Sequence, residues 1–165
     1  MKTIASVLTA AAILTASSGA AVRAQSAMHV ITTPAEAKWG PAPPLVPAGA
    51  QIAVLAGDPT KPMPYTVRFK FPAGYGIPAH SHPTDENVVV TSGAFTLGMG
   101  DKLVKTAAGN KTLKAGGYAL LPAGMNHYAF TTTEETTIVL YGQGPVEFKY
   151  VNPSDDPRNA KTATK

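Results

Sequence analysis

The stretch Gly74-Tyr75-Gly76-Ile77-Pro78-Ala79-His80-Ser81-His82-Pro83-Thr84-Asp85-Glu86 decides how this chain is read. Residues two apart in a strand share a face, so His80 and His82 project the same way. Pro83 has no amide hydrogen to continue a ladder and turns the chain. Glu86 then opens the next strand with its carboxylate aimed at the same spot. A second cluster lies downstream: Gly116, the turn Pro122-Ala123-Gly124, and His127 at the start of the strand that follows. Three imidazoles and a carboxylate converging inside a small barrel make a site for a divalent metal ion.

Working outward, the period is two nearly everywhere. Tyr65, Val67, Phe69 and Phe71 alternate with Thr66, Arg68 and Lys70. Strands are expected at 51–55, 87–91, 94–99, 117–121, 126–131 and 136–141, with Ser92-Gly93 as a hairpin signal. Val146, Phe148 and Tyr150 mark a last strand. Before them, residues 25–64 hold 8 of the 15 prolines and cannot be helical. Trp39 in that stretch reads as a hydrophobic anchor. Charged residues are 15% of the chain, and Gly and Pro together fill 30 of 165 positions. That composition excludes a helical bundle, a coiled coil and a charged disordered chain. With no cysteine, thiol catalysis, cysteine–zinc knuckles and iron–sulfur clusters are excluded as well. The chain is all-β, a sandwich, jelly roll or barrel.

The two clusters resemble the two motifs of the cupin superfamily. Gly74, His80, His82, Glu86 and Gly93 match every position of the first, and Gly116, Pro122, Gly124 and His127 match the second. Nine fixed positions would coincide by chance at about 10⁻¹² per register. The family often has an asparagine four positions after its last histidine, where this chain has Thr131. The resemblance implies a double-stranded β-helix, or jelly-roll barrel, with a proline-rich N-terminal arm. It also implies metal ligation by His80, His82, Glu86 and His127, with one divalent ion per chain (Zn, Fe, Mn, Ni or Cu). More loosely, the chain is similar to single-domain secreted cupins and to the cupin-like part of zinc-containing anti-sigma factors.

The remaining candidates are weaker. Strand alternation expects an apolar cavity lined by Phe69, Phe71, Val88, Val90 and Thr131, with some of Tyr75, Phe95, Leu97 and Met99. Asp85 should point away from Glu86, free to orient a ligand. Tyr128 and Phe130 face away from the metal and suit packing between sheets or a subunit interface. Glu134-Glu135 and Asp155-Asp156 read as solvated turns, and His29 as a surface or packing residue. Asn110-Lys111-Thr112 is a glycosylation sequon, without meaning in a bacterial chain.

Residues 1–24 read as a signal peptide: Lys2, a short apolar run, and Val22-Arg23-Ala24 before the expected cleavage. The organisation is thus a signal peptide at 1–24, an arm at 25–50, a cupin barrel at 51–153 and a polar tail at 154–165 that should fray. Without Lys2 and Arg23, 12 of the 14 basic residues remain against 10 acidic ones. No basic stripe exists, so nucleic acid is not an expected partner. No later segment is apolar enough for a membrane span. The expected protein is exported, periplasmic or extracellular, and homodimeric, because unpaired sheet edges are a liability. Its expected activity is that of a metal-dependent enzyme, oxygenase or lyase, on a small, largely apolar or aromatic compound. The alternative is a metal- or ligand-binding module that catalyses nothing.

Overall fold

A computed structural model of the chain describes residue 30 and residues 32–160. The expected signal peptide and His29 lie outside the described residues. Among the described residues, eleven strands run β1 (Gly40–Pro41), β2 (Gln51–Ala56), β3 (Pro64–Phe71), β4 (Gly76–Ser81), β5 (Glu86–Ser92), β6 (Ala94–Met99), β7 (Lys111–Lys114), β8 (Tyr118–Leu121), β9 (His127–Thr131), β10 (Thr136–Gln143) and β11 (Lys149–Tyr150). They form two antiparallel sheets, ordered β1-β2-β3-β10-β5-β8 and β11-β4-β9-β6-β7. Together these are the jelly-roll barrel.

The period-two pattern sets which residues fill it. On β3, Tyr65, Val67, Phe69 and Phe71 are buried, while Thr66, Arg68 and Lys70 are half-buried on the other face. Phe71 stacks on Phe69, Tyr75 and Phe95, with ring centroids 5.1–5.5 Å apart. Stacked aromatics of this kind contribute about 0.5–1.5 kcal/mol per pair beyond the area they bury. The hairpin at Gly93 needs glycine. Its φ is +74°, and a Cβ there would run into the Glu135 carbonyl and Thr136.

Strand β9 is buried on both faces. Its outward residues Tyr128 and Phe130, expected to pack between sheets or at a subunit interface, are covered by this chain's own 100–110 loop. Leu103 packs on them, the Lys105 ammonium stands 5.7 Å from the Phe130 centroid, and the Tyr128 hydroxyl donates to Asn110 Oδ1 at 2.7 Å. The Asn110 amide donates in turn to the carbonyls of Val104 and Lys105, so this sequon side chain is committed to holding the loop. Gly98 admits the Tyr128 ring, since any Cβ there would overlap it. On the outer face of the opposite sheet, Tyr118 and Leu120 are about half exposed.

Three other expectations change. The last strand shrinks to Lys149–Tyr150 because residues 144–146 are held instead by the 57–64 loop. Val146 donates to the Pro59 carbonyl at 2.8 Å, and Gly144 to that of Met63 at 3.0 Å. β7 was not foreseen, its Thr-Leu pair being too short between lysines to show a period. The described part of the C-terminal tail is folded: 3-10 turns at Pro153–Asp155 and Pro157–Asn159 are capped by Asn152 and Asp156. Arg158 pairs with Asp156 at 2.7 Å and donates to the Phe148 carbonyl.

The arm is pinned along residues 39–50. β1 pairs with β2, and Lys70 sits 4.7 Å from the centroid of half-buried Trp39. The Tyr150 hydroxyl donates to the Leu45 carbonyl at 2.8 Å, and the Tyr75 hydroxyl to that of Pro47. Val46 and Ala50 thereby join the core.

Candidate metal centre

His80 lies on β4 directly opposite His127, the first residue of β9. His82 follows the end of β4. The turn at Pro83–Asp85 then delivers Glu86, the first residue of β5, which pairs with Leu121 of β8 in the other sheet. The four side chains therefore enter from both sheets at one end of the barrel. All are buried. One ligand atom from each histidine lies within 4.8 Å of the others, so the three are close enough to hold a metal ion. Glu86 Oε1 is 3.5 Å from His82 Nε2, and Oε2 is 3.6 Å from His127 Nε2.

The backbone decides which nitrogen faces inward. Nδ1 of His80 meets the Pro78 carbonyl at 2.7 Å, that of His82 the Glu147 carbonyl at 2.7 Å, and that of His127 the Met125 carbonyl at 3.0 Å. A carbonyl only accepts, so each Nδ1 carries the hydrogen and a neutral ring presents the bare Nε2 to the centre. The Nε2 atoms of His82 and His127 are sealed from solvent and have no hydrogen-bond partner. Lone pairs facing an ionised carboxylate in a sealed space are costly unless a cation or a proton stands between them. The donor set thus fits a divalent metal.

Electrostatics agree with that reading. Burial pushes His80 down to about 3, helped by any charge on His127 or His82. Burial would also disfavour an ionised Glu86, yet the positive charge that the adjacent His82 and His127 rings can carry outweighs it and holds the carboxyl below its ordinary value. His82 is likewise opposed by burial and raised on balance by Glu86.

The surrounding residues separate into wall and brace. Phe69, Phe71 and Val88 line the small space beside the histidines, as do Phe95 and Leu97. Val90, Thr131, Tyr75 and Met99 do not. Val90 is fully buried in packing beyond it, Tyr75 reaches out to the arm, and Met99 is half exposed. Thr131 is a clamp: its hydroxyl donates to the Pro72 carbonyl at 2.6 Å and accepts from the Tyr75 amide at 2.9 Å. Asp85 is exposed and touches no ligand ring; its carboxylate accepts from the Ala123 amide at 2.8 Å, bracing the turn before His127. Phe148 is the residue that motif spacing could not find. It stacks on His80 at 4.6 Å and 22° and meets His82 edge-on at 4.6 Å. Its inward alternation with Lys149 was the available signal, but its neighbours come from a distant part of the chain.

A jelly-roll barrel with this histidine and carboxylate cluster defines a cupin. The chain belongs to the ChrR cupin-like domain family, whose profile matches residues 27–147. Solved structures repeat the fold at low identity. A putative acetylacetone dioxygenase from Methylibium petroleiphilum PM1 is 24% identical over 79% of this chain and 85% of its own, with a TM-score of 0.60. The polyketide cyclase RemF from Streptomyces resistomycificus is 15% identical over 79% and 90%, also at 0.60. An RmlC-like cupin from Shewanella frigidimarina NCIMB 400 is 17% identical over 71% and 93%, at 0.54. No functionally curated protein matches the sequence.

Proposed function

We propose that the protein is an exported, metal-dependent enzyme of the oxygenase or lyase type, acting on a small, largely apolar or aromatic compound. The observation that carries this reading is the donor set: three inward Nε2 atoms and one carboxylate, all buried. Four protein donors leave about two positions free on a six-coordinate ion. Such an ion supplies Lewis acidity and a place for substrate or dioxygen to bind. The chain's own part is to fix the three tautomers through backbone carbonyls, to balance charge with Glu86, and to exclude water with Phe69, Phe71 and Phe148. Two of the structural neighbours are described as enzymes, a putative dioxygenase and a cyclase.

The sealing of His82 Nε2 and His127 Nε2 favours a second reading, a binding or sensing module with a closed metal shell. The experiment is metal analysis of the protein from the exported fraction, followed by an oxygen-uptake and product screen over small apolar carbonyl and phenolic compounds. One equivalent of metal with turnover supports the enzyme. One equivalent with no turnover and no ligand-induced spectral change supports the module. We further propose a homodimer joined through the outer face bearing Tyr118, Leu120 and Tyr141, since Tyr128 and Phe130 are covered. No helix among the described residues is long and apolar enough to cross a membrane.

A further inference from the structure

Two cavities adjoin in the barrel, and their sizes assign them different tasks. The space beside His80, Glu86 and His127 measures about 20 Å³. A water molecule needs some ~10–15 Å³ on the same measure, so this space holds one small particle and no organic body. Next to it lies a chamber of about 120 Å³. Val46, Phe69, Leu140 and Phe148 line both, forming the partition between them. The chamber's other walls are almost wholly apolar, with Leu45 from the arm, Ile52 and Val67 from the six-stranded sheet, and Val146 before β11. Polar groups reach it only as Thr60 and Tyr65.

We infer that this chamber is the binding site for the apolar body of the ligand, a ring or branched chain of roughly six carbons, held beside the histidine centre across Phe148. This deepens the enzymatic reading above and rests on it for the word substrate. The magnitude sets the ligand class: an apolar cavity of about 150 Å³ stays dry and takes up benzene, so one slightly smaller accepts a body of that order. Charged or strongly hydrated groups have no partner on these walls and are rejected. The chamber takes the apolar body alone, because the partition toward the centre is itself apolar, with Phe148 stacked on His80 and edge-on to His82. Phe148 is in this view the residue that separates body from chemistry, and its size sets how far a ligand reaches toward the centre.

Benzene is the probe that tests this, titrated into the full-length protein both as isolated and after EDTA treatment. Saturable one-to-one binding is expected in both, with nuclear Overhauser contacts from benzene to the methyl groups of Ile52, Val67 and Val146. Ile52→Phe, which projects a ring into the chamber from an outer part of the sheet, should weaken binding at least ten-fold. Binding that stays unsaturated up to the solubility of benzene overturns the inference. Contacts confined to surface methyls such as those of Leu120 or Val54 do so equally. The contacts require no variant, so a failure of Ile52→Phe to fold leaves the test intact. Loss of the metal reading would appear instead as absence of metal with benzene binding unchanged, so the two failures are distinguishable.

Discussion

The histidine centre and the chamber beside it share four wall residues, yet they are built in opposite ways. The centre comes from two short segments, 80–86 and 122–127, each folded locally by a proline-containing turn. Its polar atoms are tied to nearby carbonyls, two of them only two residues away. The chamber is assembled from the arm, β2, β3, the 57–64 loop and the stretch before β11, and no polar contact marks it in the sequence. Local, hydrogen-bonded geometry holds donor atoms in place; long-range apolar packing shapes a volume that substitution can change without moving those donors. Chemistry and specificity are thus carried by separable parts of one barrel.

The largest effect that would break this contrast is loss of the centre alone. His80→Ala removes one of the three inward nitrogens and should lower metal affinity more than ~100-fold, beyond the cost of disturbing a supporting hydrogen bond. The β-type circular dichroism spectrum should persist, because the aromatic stack around Phe71 does not involve the ligands. Metal analysis after dialysis checks it. A variant retaining a full equivalent, or one that fails to fold, removes the separation of site from scaffold.

Phe148→Ala acts on the partition. It removes a buried ring that touches His80 and His82, and large-to-small core changes of this kind cost about 3–5 kcal/mol. Denaturant unfolding should show that loss, while metal still binds because all four donors remain. A cost below about 1 kcal/mol would mean that the two spaces are already joined in solution.

Protons probe the centre without mutation. The folded pKa of His80 lies near 3, below its ordinary 6.5. A lowered histidine stabilises the native state above the unfolded pKa, and that contribution is lost as pH falls from about 6.5 toward 3. Glu86, also lowered, adds to the loss below its ordinary 4.5. His82 is raised and works the other way, losing its contribution only as pH climbs through its folded value. Metal-free protein should therefore be most stable near neutrality and lose up to about 1.4 kcal/mol per pH unit on the acid side through His80, with Glu86 adding up to about as much again below its ordinary 4.5. Thermal melts of metal-free wild type and His80→Ala between pH 7 and 4.5 check this; the variant should show a flatter acid limb. With metal bound, acid should displace the ion over the same range, since proton and metal compete for the imidazoles.

The same difference explains what could be read from the chain. Both turns, the shared face of His80 and His82, and the start of β5 at Glu86 follow from proline, glycine and a period of two, all of them local signals. Thr131 illustrates the limit. Alternation places it on the His127 face, but its hydroxyl is taken by Pro72 and Tyr75, 59 and 56 residues away in sequence. Tyr128 and Phe130 were legible as outward-facing; that the 100–110 loop would cover them was not, because that loop has no period. Phe148 and the chamber depend on where non-local strands close, which no window of sequence contains.

The smallest expected effect sharpens the comparison most, because it touches only the chamber's roof. The Tyr150 hydroxyl donates to the Leu45 carbonyl at 2.8 Å, tying the arm to β11. Tyr150→Phe keeps the ring and removes that one bond, so it should cost about 1 kcal/mol. The change should stay local: Ala42, whose amide donates to the Ala50 carbonyl at 2.9 Å, should exchange its hydrogen several-fold faster as the arm opens. Leu45 then swings from the chamber wall more often, and benzene should bind a few-fold more weakly. Metal affinity should not move, because Pro78, Glu147 and Met125 hold the three rings independently of the arm. Hydrogen exchange and metal titration on the same sample decide it. A parallel drop in metal affinity would show that arm and centre open together, and the division of labour between them would have to be given up.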